Sequence, residues 1–353
     1  VGRTVVGLDI GHTGVRAVGI SAGSAPTITA VGSAPVAPGA VNEGEVLDPV
    51  SVSNALKQAW SKTGLGKDVV LGVSGRHVIV RQMDLPWLED KAFRKALPYR
   101  VAGQLPVPVE DVILDYVALG DTTAKDAAGG RTVSLLLVAA MRQPVLRAVQ
   151  AVERAGLHPV RVDLSGLAML RVAGRTDLAP GVAEARIDIG AEVTTVVVQV
   201  DGVPRFVRML AGEGGLKLSR ALVERLGVTL SEAEALKRRL GTSVPGDDPS
   251  SEDRAARVVI DRVTDSTLTA VRSSLDYYLG NAPDVEGLGR VILTGGGALL
   301  PGLDQRLSAQ LDIPVALADP LAGLTTARKA AEATAALRPS LAVAAGLGLA
   351  EVA

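Results

Sequence analysis

The chain has 353 residues, 47% apolar and 21% charged, with a net charge of −1; that length suits roughly two domains of about 100 to 200 residues. With aromatics at only 2%, the cores must be built from Val, Leu, Ala and Ile, and neither the basic excess nor the stacking surface of a nucleic-acid binder is present. Zero cysteines remove disulfides, iron–sulfur clusters and thiolate zinc, and three histidines, His12, His77 and His158, give no ligand cluster.

Apolar runs such as Leu135–Met141 fall far short of the ~20 residues of a membrane span. Residues 1–20 carry Arg3 and then Asp9 among strand-like residues, so they do not read as a signal peptide. The expectation is a soluble, cytoplasmic protein that reaches a membrane only through partners.

In chain order, Thr4–Ile20 is expected as a β-hairpin. The buried run Val5–Leu8 meets the bend Asp9-Ile10-Gly11-His12-Thr13-Gly14-Val15 and returns through Ile20. Thr27–Val31 extends that sheet, and Pro35–Gly39 breaks the pattern. Asp48-Pro49 starts a helix with Val52, Ala55, Leu56, Ala59 and Trp60 on one face, closed by Gly64. Strands Asp68–Val73 and Val78–Met83 follow, then a helix from near Leu88 that Pro98 kinks or divides, then strand Val112–Leu119. Asp121–Arg131 reads as a loop. Strand Thr132–Ala140, helix Pro144–Ala155 closed by Gly156, strand Pro159–Asp163 and a further helix complete an α/β sheet.

Asp177–Glu184, with Pro180-Gly181, is the expected linker to a second half that opens by repeating the first bend as Asp188-Ile189-Gly190-Ala191-Glu192-Val193-Thr194-Thr195. The repeat sits in the hairpin Arg186–Val200, and Asp201-Gly202 turns the chain into a strand at Val203–Leu210. Gly212–Gly215 leads into helix Leu216–Leu226. Ser231 and Glu234 suggest a capping box for the next helix. A polar loop at Gly241–Ser250, a long helix Glu252–Leu279, strand Arg290–Thr294, the run Gly295-Gly296-Gly297, and helices Leu303–Leu311 and Leu341–Leu349 complete the chain.

The expected fold is α/β with duplicated domains about a cleft. The first spans 1–181, with a core of 1–34 and 121–181 and an inserted α+β unit at 35–120. The second spans 182–353, with a core of 182–213 and 290–353 and a helical unit at 214–289. The separation of the two bends is too long for a solenoid repeat and points to two related domains facing each other.

The chemistry is concentrated at the bends. Gly11 and Gly14 let backbone amides approach anionic oxygens, Thr13 adds a hydroxyl, and His12 can donate a hydrogen bond. Asp9 is positioned to orient a metal-bound water; Arg16, on the return strand, either contacts phosphate or points elsewhere. The second bend offers Gly190 and Ala191 amides with Thr194 and Thr195 hydroxyls. Glu192 either orients a water against a terminal phosphate or is a solvated turn carboxylate. Gly295, Gly296 and Gly297 make either a shelf for a nucleoside or α-phosphate, or a flexible connector. Glu234 and Lys237, three apart, form a surface ion pair of ~0.3 kcal/mol, or face a ligand. No Walker-type loop and no Ser/His/Asp set is visible.

Together these residues resemble the actin-like ATPase superfamily, and within it the PilM family of type IV pilus assembly, over nearly the whole chain. Asp9–Arg16 is similar to the first phosphate motif, Asp188–Thr195 to the second, and Thr294–Gly302, with Leu300, to the adenosine motif. Gly214-Gly215 with Ser219, and Glu232-Ala233-Glu234 with Lys237, are similar to the nucleoside-side segments. Gly39–Pro49, Val69–Arg81 with Leu85-Pro86, Leu105-Pro106-Val107-Pro108 and Leu114-Asp115-Tyr116 are similar to the inserted subdomain that PilM shares in outline with FtsA. Two positions depart from the pattern: Arg16 replaces a lysine and His12 a small residue.

The resemblance implies ATP with Mg²⁺ between the halves. Asp9 and Asp188 would hold the metal through water, and Asp188 and Glu192 would be the catalytic candidates of at most a weak ATPase. It also implies a groove beside the inserted subdomain for the cytoplasmic N-terminal segment of a PilN-like membrane protein, further pilus assembly partners, and a location at the inner face of the membrane without an anchor of its own. Self-association is left open. Two other classes remain at this stage: a small-molecule kinase of the same superfamily, for which no sugar-reading cluster stands out between Asp121 and Asp163, and an FtsA-like membrane-bound filament former, whose basic amphipathic end Leu349–Ala353 does not match.

Overall fold

The computed structural model describes residues 4–23, 25–125, 130–172, 178–242, 250–282 and 284–350. The first lobe begins with an antiparallel meander, β1 (Thr4–Ile10), β2 (Gly14–Ser21) and β3 (Thr27–Pro35). β1 and β2 pair Asp9 with Arg16 and Ile10 with Val15, so the bend sits at the end of the ladder. A two-residue-per-strand hairpin follows, β4 (Val41–Asn42) and β5 (Glu45–Val46), then helix α1 (Pro49–Trp60). Asp48 caps α1 as expected, its Oδ1 accepting from the amides of Val50 at 2.9 Å and Ser51 at 3.1 Å.

β6 (Asp68–Val73) lies parallel to β1, which corrects the expected insertion. Residues 35–120 are not one inserted unit, because β6 belongs to the main sheet and α1 packs in its core. The separate sheet is built from β7 (Val78–Pro86), β8 (Val112–Lys125) and β9 (Arg131–Met141), in the order β7-β9-β8, with helix α2 (Asp90–Val101) against it. Phe93, Leu97 and Val101, four residues apart, form the buried face of α2. The helix runs through Pro98, which lies in its last turn, so the proline neither divides it nor leaves much helix beyond it. The expected loop Asp121–Arg131 is largely strand pairing: Asp121 pairs with Val133 and Lys125 with Arg131 across irregular register steps.

Helix α3 (Arg142–Arg154), β10 (His158–Leu164) and helix α4 (Ser165–Val172) return the chain to the main sheet. Asp177, at the head of the expected linker, and most of the expected polar loop 241–250 lie outside the described residues, as do residues 351–353.

The second lobe repeats the plan. Its strands are β11 (Ala183–Ile189), β12 (Val193–Val200) and β13 (Val203–Ala211). They are followed by helices α5 (Gly215–Leu226), α6 (Leu230–Leu240) and α7 (Ser251–Gly280), then β14 (Leu288–Thr294), helix α8 (Leu303–Leu311) and β15 (Val315–Leu317). The strand order β10-β6-β1-β2-β3 in one lobe corresponds position for position to β15-β14-β11-β12-β13 in the other. In each, a hairpin's first strand has a parallel neighbour delivered by a crossover. The sequence repeat therefore marks a duplicated five-stranded unit.

The tail also departs from expectation. β16 (Thr325–Thr326) pairs with β3, and after helix α9 (Ala331–Leu337) the wholly buried helix α10 (Ala342–Leu349) packs on the first lobe rather than the second. Gly7 permits that contact: a Cβ there would stand 1.9 Å from the carbonyl oxygen of Ala344. The expected capping box also shifts by two residues. Thr229 is the N-cap of α6, with its amide donating to Glu232 Oε2 at 2.7 Å and its hydroxyl accepting from the Glu232 amide at 3.3 Å.

One buried network joins the lobes. Arg186 on β11, 2% exposed, donates to Glu184 at 2.8 Å and to the carbonyls of Met169 at 3.2 Å and Leu170 at 3.4 Å on α4. Glu184 also accepts from Gln199 and Arg290, both at 2.7 Å. Replacing Arg186 by Met is expected to strand these buried acceptors and destabilise the protein by about 3 to 5 kcal/mol. In a thermal melt that reads as a Tm loss on the order of 10 °C; a shift of a degree or two would show that the network bears little load.

Candidate functional site

The two bends face one cleft between the lobes, with a volume of about 460 Å³. Asp9, Gly11, His12, Thr13 and Arg16 line it from the first lobe, and Asp188, Gly190, Ala191, Glu192 and Thr195 from the second. Gly215, Glu234, Lys237, Arg238 and Gly295, Gly296 and Gly297 also line it.

The bends are built alike. Gly11 N–H donates to the Gly14 carbonyl at 3.1 Å, and Gly190 N–H to that of Val193 at 3.0 Å. Each closure leaves the next two amides, of His12 and Thr13 and of Ala191 and Glu192, without a backbone acceptor among the described residues. The second bend is fixed to the start of α5, where the amides of Gly215 and Leu216 donate to the carbonyls of Gly190 at 2.9 Å and Ala191 at 2.8 Å. The arrangement offers paired donors to an anion from both sides.

Asp9 and Asp188 close the floor. Burial raises the Asp9 carboxyl above its ordinary range, against the pull of Arg16. Burial also pushes Asp188 up to about 6; the hydroxyl of Thr294, 2.9 Å away, and Arg16 oppose the rise, while the Asp9 charge adds to it. Arg16 Nη1 stands 3.7 Å from Asp9 Oδ2, an ion pair without a hydrogen bond. In the duplicated ladders Arg16 opposes Asp9 as Thr195 opposes Asp188, which puts the Arg16 side chain on the cleft side.

Among the described residues no three His, Asp or Glu side chains gather into a protein-only metal site. Two partly desolvated carboxylates side by side do suit a hydrated divalent cation whose other ligands come from water and a bound anion. Gly296 tests the fit on the opposite wall. No atom lies within 4 Å of where its Cβ would stand, so bare backbone faces open cleft. Ordered beside Ala298, which is buried, the glycine run forms a shelf rather than a loose connector.

Glu192 is not a solvated turn carboxylate. It is 4% exposed, and its carboxylate accepts from His12 Nδ1 at 2.8 Å, the Glu43 amide at 2.8 Å and Arg220 Nη2 at 3.0 Å. His12 therefore serves Glu192 and the Val41 carbonyl, 2.7 Å away, with Nδ1 carrying the proton because both neighbours accept. This contact across the cleft escaped sequence reasoning, because Glu43 carried no signal beyond family likeness.

The expected ion pair of Glu234 and Lys237 is part-buried rather than superficial. Lys237 Nζ donates to the Gly215 carbonyl and Ser219 Oγ, both at 2.8 Å, and to Glu234 at 3.0 Å. Burial lowers the Lys237 ammonium despite Glu234. Burial favours neutral Glu234, but hydrogen bonds from Ser219 and Lys237 outweigh it and hold the carboxyl below its usual range.

Four expected residues stand behind the wall. Thr194 is fully buried and its hydroxyl donates to the Glu213 carbonyl. Gly14 accepts the turn bond within its own bend, Gly214 caps α5, and Leu300 packs between two cores.

The family model for type IV pilus assembly protein PilM matches residues 7–352. No curated protein matches significantly by sequence. Among solved structures, one of a PilM–PilN type IV pilus biogenesis complex is similar with 27% identity and a TM-score of 0.81, covering 99% of this chain and 98% of that one. The ethanolamine utilization protein EutJ from Carboxydothermus hydrogenoformans (18% identity, TM-score 0.54, 98% and 89% coverage) has the same fold. So does MreB5 of Spiroplasma citri bound to AMPPNP (13% identity, TM-score 0.52, 94% and 96% coverage). The actin-like fold that the resemblance implied is thereby established.

The elevated carboxyl of Asp188 carries a pH signature. Between its unfolded value near 3.8 and about 6 the folded protein holds more protons than the unfolded chain, so this group's contribution to stability falls as pH rises. In metal-free buffer Asp188→Asn is expected to melt at a higher temperature than wild type above pH 7 and to lose that advantage near pH 4. The margin is at most ~3 kcal/mol, trimmed by water that reaches the cleft side. Equal pH profiles for the two proteins would refute the assignment.

Proposed function

This chain belongs to the PilM family of type IV pilus assembly proteins, and from that premise we propose that it is a nucleotide-binding scaffold. ATP with Mg²⁺ is clasped between its lobes, and the short cytoplasmic N-terminal segment of a PilN-like membrane protein lies against its inserted sheet. The carrying observation is the convergence of two register-matched glycine bends on one cleft floored by Asp9 and Asp188. His12 and Thr13 amides on one side, and Ala191 and Glu192 amides on the other, would hold the phosphates. Asp9 and Asp188 would hold the metal through water, and Gly295–Gly297 with Glu234 and Lys237 would flank the nucleoside. When bound, the cation would neutralise phosphate charge.

Hydrolysis on this reading is slow. His12 and Glu43 hold Glu192 through Oε2 and Arg220 holds it through Oε1, which restrains it from turning toward an attacking water. Asp188 is bound to Thr294 and sits at the metal position.

The partner reading is supported by the PilM–PilN likeness and by a groove of about 710 Å³ between α2 and β8. Leu97, Pro98, Tyr99, Val112, Ile113 and Leu114 give it an apolar wall, with Glu110, Arg142 and the Arg94 that pairs with Asp90 and Asp115 at its edge. Tyr99 is 84% exposed. β8 is the edge strand of its sheet, so an extended segment has backbone partners as well as side-chain contacts. Among the described residues no helix is long and apolar enough to cross a membrane; attachment to the inner face would come through this partner.

Saturating ATP·Mg²⁺ at about 100 times its Kd is expected to stabilise the protein by ~2.7 kcal/mol, read as a higher Tm. Gly296→Leu, whose side chain has room to fold but projects into the cleft, should melt like wild type without ligand and lose the shift. No shift in wild type sinks the nucleotide reading. Separately, Ile113→Glu on the groove wall is expected to weaken a synthetic PilN N-terminal peptide by tenfold or more in fluorescence anisotropy, about 1.4 kcal/mol, with ATP binding unchanged. Undiminished peptide affinity would move the partner to another surface.

A further inference from the structure

The tip of the β4–β5 hairpin crosses from the first lobe to the second. The Glu43 amide donates to Glu192 Oε2 at 2.8 Å, and His12 Nδ1 lies 2.8 Å from the same oxygen and 2.7 Å from the Val41 carbonyl. From its own lobe Glu192 Oε1 accepts from Arg220 Nη2 at 3.0 Å. Beside the tip, the Gly75 amide donates to Met209 Sδ of β13 at 3.2 Å, a weak acceptor. The root of the hairpin is anchored in the first lobe, where Glu45 accepts from Arg147 Nη2 of α3. Gly44, next to the tip, lines the cleft together with His12 and Glu192.

This crossing differs in kind from the other contacts between the lobes. The apolar cluster of Met169 with Val197 and Val207 and the Arg186 network are buried, and parting them exposes apolar surface and strands polar groups. The tip is held by a few hydrogen bonds at the cleft wall, where water can replace each one, so breaking one costs only about a factor of 3 to 10 in population. It also carries its own strain. Glu43 has φ of +47°, the left-handed region that a residue with a side chain occupies only where its surroundings hold it. Those surroundings are Glu192 on the other lobe and Gly75 beneath, where a Cβ would stand 2.0 Å from the Glu43 carbonyl oxygen. The Glu43 carboxylate lies 3.3 Å from Arg76 Nη1, a partly exposed pair that adds little; the hydrogen bond across the lobes comes from the backbone.

None of these groups is spent on the ligand. On the proposed reading the phosphates take the backbone amides of His12, Thr13, Ala191 and Glu192, which leaves the His12 imidazole, the Glu43 amide and the Glu192 carboxylate to one another. A ligand gripped from both lobes enters and leaves only when the lobes part, and the tip has to release each time. We infer that the β4–β5 tip is a strap gating the cleft: its bonds to Glu192 break for a nucleotide to pass and re-form behind it, which sets the rate of exchange in both directions and leaves the affinity nearly untouched. This inference rests on the proposed reading that the cleft holds a nucleotide. Losing a contact with a ligand changes mainly its departure rate; a gate changes arrival and departure by one common factor, and that separates the two roles.

The test follows association and dissociation of a fluorescent AMPPNP·Mg²⁺ analogue by stopped flow in full chains of wild type, Glu43→Pro and Glu43→Gly, after melts show which variants fold. Glu43→Pro removes the donating amide and forbids the left-handed backbone; both rates are expected to rise by about tenfold. Glu43→Gly keeps the amide and relieves the strain, and both rates are expected to fall by about threefold. In each case Kd should stay within about twofold of wild type, since the two rates move together. A second readout needs no ligand. In metal-free, nucleotide-free protein, amide hydrogen exchange over residues 41–46 is expected to quicken in Glu43→Pro and slow in Glu43→Gly. Unchanged nucleotide rates in a folded variant overturn the gate, as does a Glu43→Pro that speeds dissociation alone or an exchange pattern that is the same in all three proteins; each of these leaves the proposed function standing. A wild type that binds no nucleotide overturns that function and the gate with it.

Discussion

Two carboxylates facing one another across a cleft, each at the end of a strand that starts its lobe's hairpin, set the terms for the whole molecule. Asp9 and Asp188 are both raised by burial, and the Asp9 charge raises Asp188 further. Such a pair is costly wherever it is not neutralised, and a fold keeps it only if the lobes are held at a fixed approach by contacts elsewhere. The contacts that do this are an apolar core shared by both lobes, where Val5, Val70, Ala168 and Met169 cluster with Val197 and Val207, the buried Arg186 network, and the Glu192 contacts across the cleft.

The duplication explains why the bends meet at all. In each lobe the acid stands one residue before the glycine bend's last paired position, and the same five-strand order presents the bend at the sheet's edge toward the other lobe. The inserted sheet and the returning tail are additions to that plan. Helix α10 crosses back to lie on β1, using Gly7 for backbone contact, and so stiffens the strand that carries Asp9. β9 leads directly into α3, so the inserted sheet is continuous with the helix that grips the hairpin.

How much of this was legible depended on whether the signal was local. The bends, the Asp48 cap and the α-helical faces were readable because acid, glycine and apolar spacing act within a few residues. The capping box was ambiguous in the sequence itself: Thr229 with Glu232 and Ser231 with Glu234 both satisfy the pattern, and burial of Ala233 and Leu236 against α7 selects the first. That choice frees Glu234 to bind Ser219 and Lys237 in the cleft wall. The insertion's bounds were misread because β6 looks the same whether it pairs with β7 or β1; only the parallel, nonlocal partner decides. Helix α10 was visibly buried all round, but nothing in its composition says which lobe buries it. Glu192 was singled out, yet its partners Glu43 and Arg220 lie far away in sequence, and a charge pair of that kind has no periodicity to read.

The charge inventory of the cleft constrains what can enter it. Arg16 stands beside Asp9, and Lys237 is taken up by Glu234, Ser219 and a carbonyl. Arg238 is a further, exposed cation on the wall; at the floor, bare phosphate would meet Asp9 and Asp188 as like charges. On the proposed reading a divalent cation resolves the conflict, because it is attracted by both carboxylates and by the phosphates. Metal and nucleotide then bind as a unit, and neither alone gains what the pair gains. On that reading the Arg16 guanidinium, 3.7 Å from Asp9, would leave more of the phosphate charge to the metal.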